Sequence, residues 1–334
     1  MNPIIVLVGQ RCLAMALLLS LSGCYYMQAA SGQMEINRKR KPIEDVIAAD
    51  ETPQELTAQL RLVTEARQFS IDELALPDND SYRSYADLER NYVVWNIVAV
   101  PEFSMQAKTW CYPIVGCVSY RGYFSEDKAM RKAQALRDDG YDVAFGGVAA
   151  YSTLGRFDDP VLNTMTRWSD ADLVAVLFHE LAHQVLYIKD DTEFNESFAT
   201  AVEEIGMERW LLSRQQEEEL AAWRQRRELR ADFTKLVKAA RDDLAVLYDS
   251  DAPPAEMRRE KQARLAQFAD AAKQLYSAAQ QRAPSWLDTE LNNARLVSTA
   301  LYHGRLQEFR ELLNGCGGEL ACFYREATRL SEST

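Results

Sequence analysis

The chain has 334 residues, 47% hydrophobic and 26% charged, enough to bury one large core or two smaller ones. A formal net charge of −12 and the lack of any basic patch interleaved with aromatics weigh against nucleic acid as a partner. Phosphate binding needs clustered Lys and Arg.

The first stretch, "MNPIIVLVGQRCLAMALLLSLSGC", carries one positive charge at Arg11, an apolar run from Cys12 to Leu21 and then small residues. That is the pattern of a secretory signal, short for a membrane span. Leu21-Ser22-Gly23-Cys24 resembles the lipobox of bacterial lipoproteins, which implies removal of residues 1–23 and acylation of Cys24. An ordinary signal peptide with an incidental cysteine is the plainer reading. Acyl chains on Cys24 would anchor an otherwise soluble protein to a membrane. Tyr25, rather than Asp, follows the cysteine, which in lipoproteins favours the outer membrane, facing the periplasm.

Residues 24–80 read as a helical lead-in, with Thr52 as cap and Pro53 in the first turn of a helix. Residues 81–212 read as an α+β core. "NYVVWNIVAV" is rich in β-branched and aromatic residues and predicts a buried strand. "SEDKAMRKAQALRDDG" has a capping Ser125 and a terminal Gly140, so it predicts a helix, and "YDVAFGGVAAYST" returns as a strand. "SDADLVAVLFHELAHQVLYI" starts with Ser169 as cap and carries acids in its first turn, where they suit the helix dipole. A second helix is expected from about Glu193 to Leu212. Residues 213–334 are helical in pattern, and between 214 and 283 apolar residues stepping by three and four predict two long antiparallel helices around "DSDAPP". This hairpin reads as a solvated support or shield for the site. The whole is an α+β fold, predominantly helical, with a small sheet.

Four cysteines remain beyond the leader and Cys24. Cys111 and Cys117, and Cys316 and Cys322, are each separated by five residues that include Pro or Gly, which predicts two local disulfides in an oxidising compartment. A zinc site built from all four is the alternative, although such sites favour CxxC spacing.

Two of the three histidines stand in His179-Glu180-Leu181-Ala182-His183. Histidines at i and i+4 project from one side of a helix, one turn apart, as two neighbouring ligands of a tetrahedral zinc require. Glu180 beside the first can take a proton from a water at the metal, which is the HExxH arrangement. Two core or surface histidines on an amphipathic helix are the bland alternative. A third ligand is expected downstream among Glu193, Glu196, Glu203 and Glu204, and no third histidine follows at metzincin spacing.

Here the sequence resembles the gluzincin metallopeptidases, the thermolysin-like and aminopeptidase-like enzymes whose third ligand lies in an "NE" on the next helix. Asn195-Glu196 matches that element, so the resemblance implies Glu196, although only twelve residues separate it from His183. Together with the lipobox, "GGVAAYSTLGRFDDPVLNTM", "FNESFA" and "NNARLVSTALYHG" resemble a bacterial lipoprotein family named for aminopeptidase activity. The resemblance implies a thermolysin-like zincin core, Zn²⁺ as cofactor and a peptide or protein substrate. It also implies an edge strand that binds substrate main chain, here Gly146, Gly147, Val148 and Ala149, where a plain core strand is the alternative. That strand carries no acid to meet a substrate amine, which separates it from the large aminopeptidases. A donor for the developing oxyanion is expected from Tyr302 or His303 in "LYHG", and Asn292 and Asn293 are expected to line the same cleft.

The sequence therefore predicts a monomeric, zinc-dependent, periplasm-facing lipoprotein peptidase. Its main rival is a non-catalytic envelope lipoprotein that keeps the zinc site to bind a peptide or partner. With only three histidines, a zinc-storing lipoprotein is the weaker rival.

Overall fold

The computed structural model describes residues 25–112, 116–289, 291–300 and 305–332. Helix α1 covers 25–39 and is followed by β1 (Lys41–Pro42), α2 (Ile43–Ala48) and α3 (Gln54–Asp72). The central part contains β2 (Ser84–Ala86), β3 (Val94–Pro101), β4 (Trp110–Tyr112), β5 (Gly116–Val118), β6 (Arg121–Tyr123), α4 (Glu126–Asp138), β7 (Tyr141–Val148) and β8 (Val161–Leu162). Helices α5 (Asp170–Ala182), α6 (Thr192–Ser213), α7 (Glu217–Tyr248), α8 (Pro254–Ala278), α9 (Trp286–Thr289), α10 (Asn293–Ala300), α11 (Leu306–Gly315) and α12 (Leu320–Glu332) follow. The chain is α+β and mostly helical, as its pattern implies.

The expectation of one small sheet is corrected. Among the described residues there are two three-stranded sheets, ordered β1-β2-β8 and β6-β3-β7, and a β4-β5 ribbon. Strands β1, β2 and β8 are two or three residues long, too short to print an alternating pattern in the sequence. In β3 the alternation is clear: Trp95, Ile97 and Ala99 face a cluster with Ala129, Ala133 and Leu136 of α4. Val98 and Val100 face Ala294 and Val297 of α10 on the opposite side. A central strand with helices on both faces buries nearly every residue.

Helix α4 begins where expected, with the Ser125 hydroxyl accepting from Lys128 N, and Gly140 ends it at φ +83°. Helix α3 departs from expectation, because Pro53 is its N-cap and the Thr52 hydroxyl instead donates to Val46 O at the end of α2. The local disulfides Cys111–Cys117 and Cys316–Cys322 are formed, the first bridging β4 and β5 and the second tying the end of α11 to α12.

Helices α5 and α6 lie in the largest core with Phe178, Phe194, Phe198 and Trp210, and that core reaches from Ile36 to Ala327. Gly206 permits the close crossing of α5 and α6, since a Cβ there would lie 2.7 Å from the Phe178 ring. The hairpin of α7 and α8 has its own core, including Phe233, Val237, Leu265 and Phe268. Lys261 of α8 fastens it to the sheet by donating to Asp142 at 2.6 Å and to Glu102 O at 2.9 Å.

Candidate metal centre

Helix α5 starts at Ser169, whose hydroxyl accepts from Asp172 N, and its residues Leu173, Val174, Leu177, Phe178 and Leu181 are buried. This packing turns His179 and Glu180 toward a cavity, and His183 is the C-cap residue, still in helical conformation. Helix α6 then returns after a short loop. Asn195 secures that loop twice, accepting from Ile188 N and donating to Ile188 O, each at 2.7 Å. The clamp explains how twelve intervening residues suffice to bring Glu196 back to the histidines.

His179, His183 and Glu196 each offer one ligand atom, and these atoms lie within 4.8 Å of one another. Glu196 Oε2 is 3.3 Å from His179 Nε2 and 3.8 Å from His183 Nε2. Ligands at zinc bond lengths in a tetrahedron stand about 3.4 Å apart, so the spacing fits a small divalent cation. The His179 Nδ1–H donates to Glu203 Oε2 at 3.2 Å, and Glu203 Oε1 meets Arg230 of α7 at 3.5 Å. Outer carboxylates of this kind fix the tautomer and orientation of a metal-binding imidazole. His183 differs, because its Nδ1 is buried without an acceptor among the described residues.

Electrostatics follow from this arrangement without a metal. Burial disfavours a charge on His179, yet its bonds to Glu196 and Glu203 outweigh burial and push its pKa well above the usual histidine value. Burial lowers His183 to about 4. Burial also raises Glu180 to about 7, with Glu196 and Asp159 adding to the rise, while His179 and a hydrogen bond from Ser152 oppose it. A carboxyl poised near neutrality beside an open cavity suits acid–base work.

The cavity has a volume of about 590 Å³. Gly147, Val148, Ala149 and Ala150 form one wall, α5 and α6 another, and Trp168, Trp223 and Arg230 close it. Among the described residues strand β7 is an outer strand of its sheet, paired to β3; side chains of α10 and its cap donate to its Val143 and Phe145 carbonyls, and its last residues, Gly147 and Val148, reach the cavity.

Most of the sequence-derived site comes together here: His179, Glu180, His183 and Glu196, with Gly147, Val148 and Ala149 in the wall. Gly146 falls one residue outside the wall, and β7 ends at Val148. The absent side chain of Gly147 serves packing, since a Cβ would lie 2.2 Å from the Tyr92 ring. Glu193 is exposed, and Glu204 is buried in a bidentate pair with Arg310, so neither competes with Glu196. Asn292 and Asn293 do not line the cleft. Asn292 caps α10 and donates to Val143 O, while Asn293 is buried against Glu102, Ser104 and Asp142, so both dock α10 on the far end of β7. Cys24, Tyr302 and His303 lie outside the described residues.

Sequence reading missed Arg230, Trp223 and Trp168, whose place in the wall depends on helix packing that no local pattern reports. It weighed Glu203 only as a ligand. The hairpin is therefore more than a solvated support, since α7 supplies part of the cavity.

No curated protein and no solved structure matches the chain. The profile of one family, described as "Putative aminopeptidase", matches residues 24–334. The chain belongs to that family.

Proposed function

We propose that the protein is a zinc-dependent metallopeptidase of the gluzincin type, with a thermolysin-like zincin core, that hydrolyses peptides in the periplasm. The observation that carries this reading is the meeting of His179, His183 and Glu196 beside Glu180 in a cavity edged by an outer strand. Bound by these three residues, zinc would polarise a substrate carbonyl and acidify a water. The Glu180 carboxylate takes the proton of the attacking water and returns it to the departing amine. Ser152 lies where its hydroxyl favours the charged form of Glu180, and Glu203 holds His179. The outer edge of β7 at Gly147 can pair with an extended peptide, main chain to main chain.

Tyr302 or His303 supplies the donor to the developing oxyanion in this reading. Arg305, two residues beyond His303, donates its backbone N–H to the hydroxyl of Ser197, the neighbour of Glu196, at 3.1 Å. The envelope location rests on the leader and on Cys24 as the acylated residue, with the outer membrane favoured. The family description supports cleavage from the N-terminal end.

The deciding experiment compares wild type with Glu180→Gln for bound zinc and for cleavage of a mixed peptide library. Wild type should bind one zinc and cleave, the variant should bind zinc without cleaving, and the products should have lost N-terminal residues. If both bind zinc and neither cleaves, the protein is a binding module. If neither binds zinc, the histidine pair is not a metal site.

A further inference from the structure

Three of the eight large apolar side chains that stand exposed among the described residues lie on the outer face of α1. They are Tyr26 (45% exposed), Met27 (65%) and Met34 (70%), with Ala30 and Ser31 also exposed between them. The spacing follows one helical face. The inner face of α1 is packed against the chain. The Tyr25 hydroxyl donates to Gly122 O at 3.1 Å, Gln28 accepts from Phe124 N at 3.0 Å, and Ile36 is buried in the main core. Glu35 accepts both its bonds from Arg90 at 2.8 Å. The helix is therefore held in place, and its apolar outer face is left to something other than the described chain.

Charge narrows what that something is. Four cations, Arg38-Lys39-Arg40-Lys41, run from the last turn of α1 into β1 in a chain of net charge −12. Lys39 pairs with Glu89 at 3.4 Å and Arg40 with Asp158 at 4.0 Å. Arg38 and Lys41 are exposed and make no ion pair among the described residues, and the next exposed acids in sequence, Glu44 and Asp45, come only on α2. A second copy of the chain would bring the same −12 against this face. Residue 25, the first described residue of α1, directly follows Cys24, so in the proposed lipoprotein the acyl chains on Cys24 would hold this helix at a membrane surface. None of the described helices is long and apolar enough to cross a membrane, so contact there is interfacial.

We propose that the outer face of α1 lies on the surface of an anionic phospholipid bilayer, with Tyr26, Met27 and Met34 among the headgroups and Arg38 and Lys41 against lipid phosphates. Amphipathic helices with aromatic and cationic residues settle at this depth. The placement has a consequence for the metal cavity. Phe124, which packs against Gly32 of α1, meets the Tyr151 ring edge-on at 5.4 Å, and Tyr151 directly follows the wall Gly147–Ala150. Two side-chain contacts thus tie the cavity wall to the bilayer surface.

The test uses the full chain, made with its own leader and reconstituted into phosphatidylglycerol–phosphatidylethanolamine vesicles. A benzophenone amino acid replaces Met27 or Met34, or, as controls, the exposed Met130 of α4 or Val246 of α7. After illumination, phospholipid adducts at 27 and 34 should exceed those at 130 and 246 by about tenfold or more. Arg38→Ser with Lys41→Ser should lower the yield in these vesicles and leave it unchanged in phosphatidylcholine. Equal yields at all four positions, or adducts at 27 and 34 to a second copy or another protein, overturn the proposal.

Discussion

Glu203 accepts a hydrogen bond from Nδ1 of His179 at 3.2 Å, while Glu196 faces Nε2 of the same ring at 3.3 Å. Two acids, seven residues apart on α6, divide one imidazole between them, and the division assigns their roles. The Nε2 side also faces His183 through Glu196, so in the proposed metal centre Glu196 would be the ligand and Glu203 the orienting partner. Removing them should have different results. Glu196→Ala should abolish stoichiometric metal binding, whereas Glu203→Ala should weaken it by about 10–100-fold. Competition with a chromophoric chelator measures both. Equal loss in the two variants would reject the assignment.

The sequence disclosed this centre unevenly, for physical reasons. His179 and His183 are readable because their relation is local, one helical turn apart, and the same holds for the Ser125 and Ser169 caps and both disulfides. Glu193, Glu196, Glu203 and Glu204 look alike in a sequence. Only the angle at which α6 crosses α5 sends one to the metal site, one to His179, one to Arg310 and one to solvent. Arg230 and Trp223 are further removed, since they reach the cavity only because α7 packs back along α6. Asn292 and Asn293 misled because neighbours in a familiar-looking segment need not share a site.

Lys261 is 4% exposed and donates to Asp142, which also accepts from Asn293 N at 2.9 Å. Deleting one member of a buried pair leaves the other uncompensated, so Lys261→Met should cost about 3–5 kcal/mol. Changing Asp142 to Asn in the same chain removes the stranded charge and should recover part of that loss. Denaturant unfolding of wild type, both single variants and the double variant measures the coupling. Additive losses would show that the pair does not act as a unit.

Asp159 is buried under Thr153, which donates to it from both its backbone N–H and its hydroxyl. Burial raises its carboxyl from 3.8 to about 6 despite those bonds. A raised acid favours the protonated fold, so its contribution is full below about pH 4 and is lost as pH rises to about 6. The shift corresponds to at most about 3 kcal/mol. Asn keeps an acceptor for Thr153 and carries no charge. Asp159→Asn should therefore raise the melting temperature at pH 7.5, with the advantage shrinking toward zero at pH 4. A variant that is less stable at pH 7.5 would show that the charged form is the one the fold favours.

Tyr82 is fully buried, its backbone sits at φ +63°, and its hydroxyl has no hydrogen-bond partner among the described residues. A bulky residue in the left-handed region is held there by its surroundings at some cost. Here Tyr82 N donates to Asp159 O at 2.6 Å, and the buried Arg67 donates to Ser81 O, Pro77 O and Asn79 O. The same turn reaches the metal helix, since Gln184 accepts from Asn79 and donates to Ser81 Oγ. An orphaned buried hydroxyl carries a desolvation penalty of about 1–3 kcal/mol that a phenyl ring of the same shape does not. Tyr82→Phe should therefore leave the fold and the backbone strain intact and raise stability by about 1 kcal/mol, read as a higher melting temperature. Tyr82→Ala should instead lose the ring from the core and destabilise by about 3–5 kcal/mol. If the Phe variant melts below wild type, the hydroxyl is bonded in solution, and a water held between Tyr82 and the neighbouring acids Glu180 and Asp159 becomes the explanation to pursue by high-resolution crystallography.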